Sequence, residues 1–67
     1  MDRPPLLRAS VLGYLGEERV KMLEEASFVW EPWTCAFLHA VSSAVVTLDE
    51  ARRLDGVSLR RLIAERT

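Results

Sequence analysis

Cys35 and His39 stand four positions apart, and Glu31 lies four before the cysteine. On a helix this spacing stacks all three side chains on one face. An imidazole there would lower the thiol pKa, or the set would offer donors to a metal. Neither chemistry is complete. A nucleophilic thiol also needs a cleft and an oxyanion donor, and a structural zinc needs about four ligands, whereas the chain has one cysteine and one histidine. On an apolar helix the two read as packing residues. Glu17, Glu18, Glu24 and Glu25 read as helix surface and not as paired catalytic carboxylates, and no glycine-rich phosphate loop or Ser-His-Asp set accompanies them. No catalytic residue, metal or cofactor is assigned, and the chain reads as a non-enzyme.

The aromatic residues carry more weight. Phe28, Trp30, Trp33 and Phe37 are four of the five aromatics and fall within ten residues. Tryptophan is enriched at the centres of interfaces, where it contributes a large contact area at little rotamer entropy. The "WEPW" corner is thus either a plug of large side chains or a binding hot spot, and in so small a protein the two merge. Ala36, Ala40 and Ala44, four apart, would add a stripe of small residues for close helix contact. These seven residues form the expected interface.

Elements must place them, and the punctuation predicts helices throughout. Pro4 and Pro5 suit a first helical turn, and Leu6, Leu7, Val11, Leu12 and Leu15 suggest a helix over about 5–13, closed by Gly13 or Gly16. Val20, Leu23, Ser27 and Trp30 follow with the spacing of a second helix over about 17–30, with Glu17 and Lys21 as an i, i+4 ion pair. Glu31 precedes a proline and is pushed out of helical angles, so Pro32 starts a third helix over about 32–48. That stretch has no charge. A strand at 44–48 competes there, since β-branched residues favour strands, but no second convincing strand is evident to pair with it. Thr47 and Glu50 have capping-box spacing for a helix at about 48–55 ended by Gly56, and Ser58 caps a last amphipathic helix bearing Leu59, Leu62 and Ile63. The expectation is an all-α fold: one small helical domain over residues 1–67, a bundle of short helices around the central apolar helix at about 32–48.

A single core of 67 residues supplies roughly 3–5 kcal/mol unless something staples it. One cysteine makes no internal disulfide and suits a reducing cytoplasm. Oligomerisation, or a larger partner, is the staple that remains, so the bundle is expected to be completed by self-association. Residues 32–48 sit at the bottom of the spanning range of roughly 17–25 residues and are diluted by Pro32, His39, serines and threonines, so no membrane span is expected. The amino terminus lacks the features of a signal peptide, and a cytoplasmic protein is expected. Net charge is −1 with a pI of about 5.7, which carries no overall footprint for nucleic acid. The flanks differ, however: five acids face Arg19 and Lys21 between Glu17 and Glu31, and five arginines face four acids from Asp49 onward.

"EARRLDGVSLRRLIAERT", residues 50–67, resembles the opening of phage-repressor-like helix-turn-helix domains: an arginine-rich helix, a turn with glycine and an apolar residue, and a serine-capped helix. The resemblance implies nucleic-acid contact through Arg52, Arg53, Arg60 and Arg61. In that family the helix that enters the major groove follows the matched segment. The reading preferred from the sequence is a small protein–protein interaction module, a regulatory, adaptor or inhibitor subunit that binds a larger protein or itself. The alternative is a small transcriptional regulator or antitoxin-like DNA-binding protein.

Overall fold

Gly16 governs the first corner of the chain. In the computed structural model, which describes residues 4–67, it has φ +93°, a left-handed conformation natural to glycine. Its N–H bonds Leu12 O at 2.9 Å and closes α1 (Arg8–Leu15), while its carbonyl accepts from Val20 N and opens α2 (Glu17–Glu25). Gly13, expected as a possible stop, lies inside α1. The chain at Pro4–Leu7 is not helical. Leu7 is extended, and Leu6 N–H bonds Pro32 O at 3.2 Å. Residues 1–3, part of the amino terminus read above, lie outside the described residues. Arg8 straps α1 to α2 through two bonds to Glu24, 2.6 and 2.8 Å.

The all-α expectation is overturned from residue 26 onward. Ala26 and Ser27 form a turn, with Ser27 at φ +70°, and α2 stops at Glu25 instead of running to residue 30. Three strands follow: β1 (Phe28–Glu31), β2 (Ala36–His39) and β3 (Val45–Thr47), antiparallel in the order β1-β2-β3. The segment expected as a central helix at 32–48 is a four-residue turn, a strand, a loop and a second strand. The protein is therefore a mixed α/β fold and not a helical bundle. The physical reason is period: Phe28 and Trp30 are buried while Val29 between them is exposed, the alternation of a half-buried strand.

Thr47 ends β3 and begins α3 (Leu48–Arg53) through the expected capping box: Glu50 N–H bonds Thr47 Oγ1 at 3.1 Å, and Glu50 Oε1 accepts from Thr47 N–H at 3.0 Å. Gly56 does not end this helix. It opens α4 (Gly56–Arg66), whose cap is Asp55, accepting from Ser58 N–H at 2.7 Å, and not Ser58 itself.

The helices cover one face of the sheet. Val11 and Leu15 from α1, Val20 and Leu23 from α2, Ala51 from α3 and Leu59 and Ile63 from α4 meet Phe28, Trp30, Phe37 and Val46 in one buried cluster. The inner residues of the uncharged segment are thus covered by the chain's own helices. The central apolar helix expected at about 32–48 does not exist. No helix among the described residues is long and apolar enough to cross a membrane.

Candidate interaction surface

The Cys35–His39–Glu31 set does not converge. Without a helix its i, i+4 spacing loses its meaning. Cys35 ends the β1–β2 turn at φ +55° and its thiol donates to Pro32 O at 3.5 Å. Glu31 spends its carboxylate inside the same turn, accepting from Thr34 N–H at 2.6 Å and Thr34 Oγ1 at 2.9 Å; the backbone bond leads in holding its carboxyl below the ordinary range. His39 closes the far end of β2. Its ring meets Phe28 edge to face at 5.0 Å, and Nδ1 accepts from Val41 N–H and Ser42 N–H at 3.2 and 3.0 Å. Among the described residues no group of three or more His, Cys, Asp or Glu side chains is placed to hold a metal.

The arginines do not converge either. Arg52 lies over the Tyr14 ring on α1, 5.4 Å from its centroid, and Arg53 pairs with Asp49. Arg60 lines an open groove between α2 and α4 with Glu18, Lys21 and Glu25. Arg61 is exposed. With Asp55 the groove has three acids against Lys21 and Arg60, the wrong balance for a phosphate backbone.

The expected interface residues divide sharply. Phe28, Trp30 and Phe37 are core: Trp30 is 6% exposed, its Nε1–H donates to Leu6 O at 2.6 Å, and its ring meets Phe37 edge to face at 5.0 Å. The alanine stripe is dissolved by the strands. Ala36 is buried in β2, Ala40 is exposed and Ala44 half-buried in the β2–β3 loop. Trp33 alone of the aromatic group reaches solvent, 66% exposed on the β1–β2 turn.

Register reveals the surface that sequence reasoning missed. Val29 pairs with Leu38 and Leu38 with Val45, so the three lie directly opposite one another on one face. The inward row is Trp30, Phe37 and Val46. The outward row is therefore an unbroken apolar line across the sheet, with Val29 59% and Val45 40% exposed. Trp33 stands in the turn at one end of the strands and Val41, 89% exposed, in the loop at the other. The signal available in sequence was the alternation in "FVW" and the β-branched run "VVT".

One ion pair borders this sheet. Arg66, in the last turn of α4, grips Glu50 with two bonds of 2.8 Å and donates from Nη1 to Val45 O at 2.6 Å. The two bonds from Arg66 to the carboxylate, followed by that from the Thr47 N–H, lower the Glu50 carboxyl to about 2.

The chain matches no protein-family model, no curated protein and no solved structure.

Proposed function

We propose that the protein is a small protein–protein interaction module that binds a larger partner through the outward face of its sheet and Trp33, and acts by occluding or scaffolding that partner. The observation that carries this reading is the apolar row Val29–Leu38–Val45, exposed at both ends and half-buried at Leu38, together with the exposed Trp33. Antiparallel sheets commonly turn one face to water, but that face is then polar. Here one full row of that face is apolar, next to the row Glu31–Ala36–Thr47, and contiguous apolar surface marks binding sites. Such a module works in the reducing cytoplasm without a cofactor or catalytic group.

The test compares two exposed changes with a charge reversal. Trp33→Ala and Val29→Asp should each weaken capture of the native partner by about 2 kcal/mol or more, as truncation of an interface anchor does. Both should leave the melting transition within roughly 1 kcal/mol of wild type, as surface changes do. Arg60→Glu with Arg61→Glu should alter association rate and salt dependence more than affinity. The opposite order, with binding to DNA lost on charge reversal and falling steeply with salt, would favour the regulator reading that residues 50–67 suggest.

A further inference from the structure

We infer that the Glu50–Arg66 pair is a lock on the outer edge of β3, and that the occupant it excludes is the β3 strand of a second copy of this chain. The alternation of the ladder fixes which backbone groups face outward. His39 N–H bonds Ala44 O at 3.0 Å, so in the register His39↔Ala44, Phe37↔Val46 the hydrogen-bonded pairs with β2 are those of Ala44 and Val46. Val45 consequently turns its N–H and C=O, and Thr47 its N–H, away from β2, toward the open side, while Thr47 C=O, as the N-cap carbonyl, accepts the first intrahelical bond of α3. Those are the groups a fourth strand would use.

Two of them are already taken by one ion pair. The Arg66 guanidinium donates to Val45 O at 2.6 Å, and the Glu50 carboxylate accepts from Thr47 N–H at 3.0 Å. The pair itself is bidentate, 2.8 and 2.8 Å. Together the two side chains therefore imitate a neighbouring strand: a donor where its N–H would lie and an acceptor where its carbonyl would lie.

The same groups are complementary to themselves. In a twofold antiparallel pairing centred on Val46, Thr47 N–H of each copy meets Val45 O of the other. Val46 lies opposite its own equivalent, and the two sheets become one of six strands. Self-complementarity of this kind is what an isologous dimer requires. An unprotected edge is a ready template for such pairing, and the ion pair withholds it.

The experiment is sedimentation equilibrium of the full chain over a concentration series, with circular dichroism to establish folding. Arg66→Ala with Glu50→Ala, which frees Val45 O and Thr47 N–H together, should tighten self-association about tenfold or more over wild type, since each copy gains paired edge bonds in place of solvated ones. Adding Val45→Pro to that double variant should return it to the wild-type level, because the proline ring stands where Val45 N–H faces the new strand and blocks its approach, and Val45 N–H is not used by β2. Arg66→Lys covers the case in which the double variant does not fold. It keeps the charge beside Glu50 but not the fork that spans carboxylate and carbonyl, and it should associate more than wild type and less than the double alanine variant. Folded Arg66 variants that associate no more tightly than wild type would overturn the inference. So would tightened association that survives Val45→Pro.

Discussion

His39 holds the β2–β3 loop through a ring nitrogen that serves as an acceptor for two backbone N–H groups, Val41 and Ser42, which places its ring hydrogen on Nε2. The role is architectural, and it explains a histidine on the inner face of a strand without recourse to a metal. Replacing it by phenylalanine keeps an aromatic ring against Phe28 but leaves both amides without their partner. His39→Phe should cost roughly 1–2 kcal/mol, about 1 per hydrogen bond lost. Amide exchange should quicken at Val41 and Ser42 and stay slow in the helices. Uniform acceleration along the whole chain would point to a packing role instead. Trp30 is a comparable case of a polar handle on a buried ring. Its indole N–H satisfies Leu6 O, in the non-helical segment before α1, and so ties that segment to the sheet.

At the scale of elements, α3 and α4 are joined to β3 through Glu50, which completes the capping box and receives Arg66. Its carboxyl, lowered from 4.5 to about 2 in the folded chain, links stability to pH with a definite sign. The contribution is fully present above about 4.5 and is lost as pH falls toward about 2, because the unfolded chain binds the proton first. The whole shift would correspond to about 3 kcal/mol at 1.36 kcal/mol per unit. Both side chains are 34% exposed, so solvent screening reduces this to about 1–2 kcal/mol. Urea midpoints measured from pH 5 to about 2 should therefore fall less steeply for Glu50→Gln than for wild type. Glu24, Glu31 and Asp55, also lowered by their hydrogen bonds, remain in both proteins and cancel in the comparison. The elements most legible in sequence were those with local chemistry: Thr47 with Glu50, and Gly16 as one of the two glycines that could close the first helix. What sequence reasoning lost was the sheet, and it lost it through one assignment. Val20, Leu23, Ser27 and Trp30 satisfy a helical period, and "FVW" satisfies a strand period as well; short apolar runs do not decide between the two. Once Phe28–Trp30 was placed on a helix, "VVT" had no partner strand and was absorbed into a helix in turn. The candidate surface vanished with it, since Val29, Leu38 and Val45 become neighbours only through cross-strand register.

The molecule measures 36 × 24 × 17 Å along its principal axes, and the shortest dimension is that of one sheet backed by one layer of helices, a helix with its side chains being about 10 Å across. A two-layer protein of this size has a single core and little reserve. Phe37 sits at its centre, fully buried and paired with both Trp30 and Val46. Phe37→Ala should cost roughly 3–5 kcal/mol, which equals what so small a core supplies, roughly 3–5 kcal/mol. The variant should be largely unfolded at room temperature by circular dichroism, and a cooperative, near-native melt would mean that the core is stabilised by something other than its own packing. The same thinness leaves the two tryptophans in opposite surroundings, one sealed under the helices and one standing in water. They form a pair of optical channels within one chain. Trp30 emits from an apolar site closed to dissolved quenchers until the fold opens, whereas Trp33 emits from solvent and is shielded only when something covers the β1–β2 turn. The fluorescence of the native protein thus carries its folding and any contact at that turn as separable signals, without any label being attached.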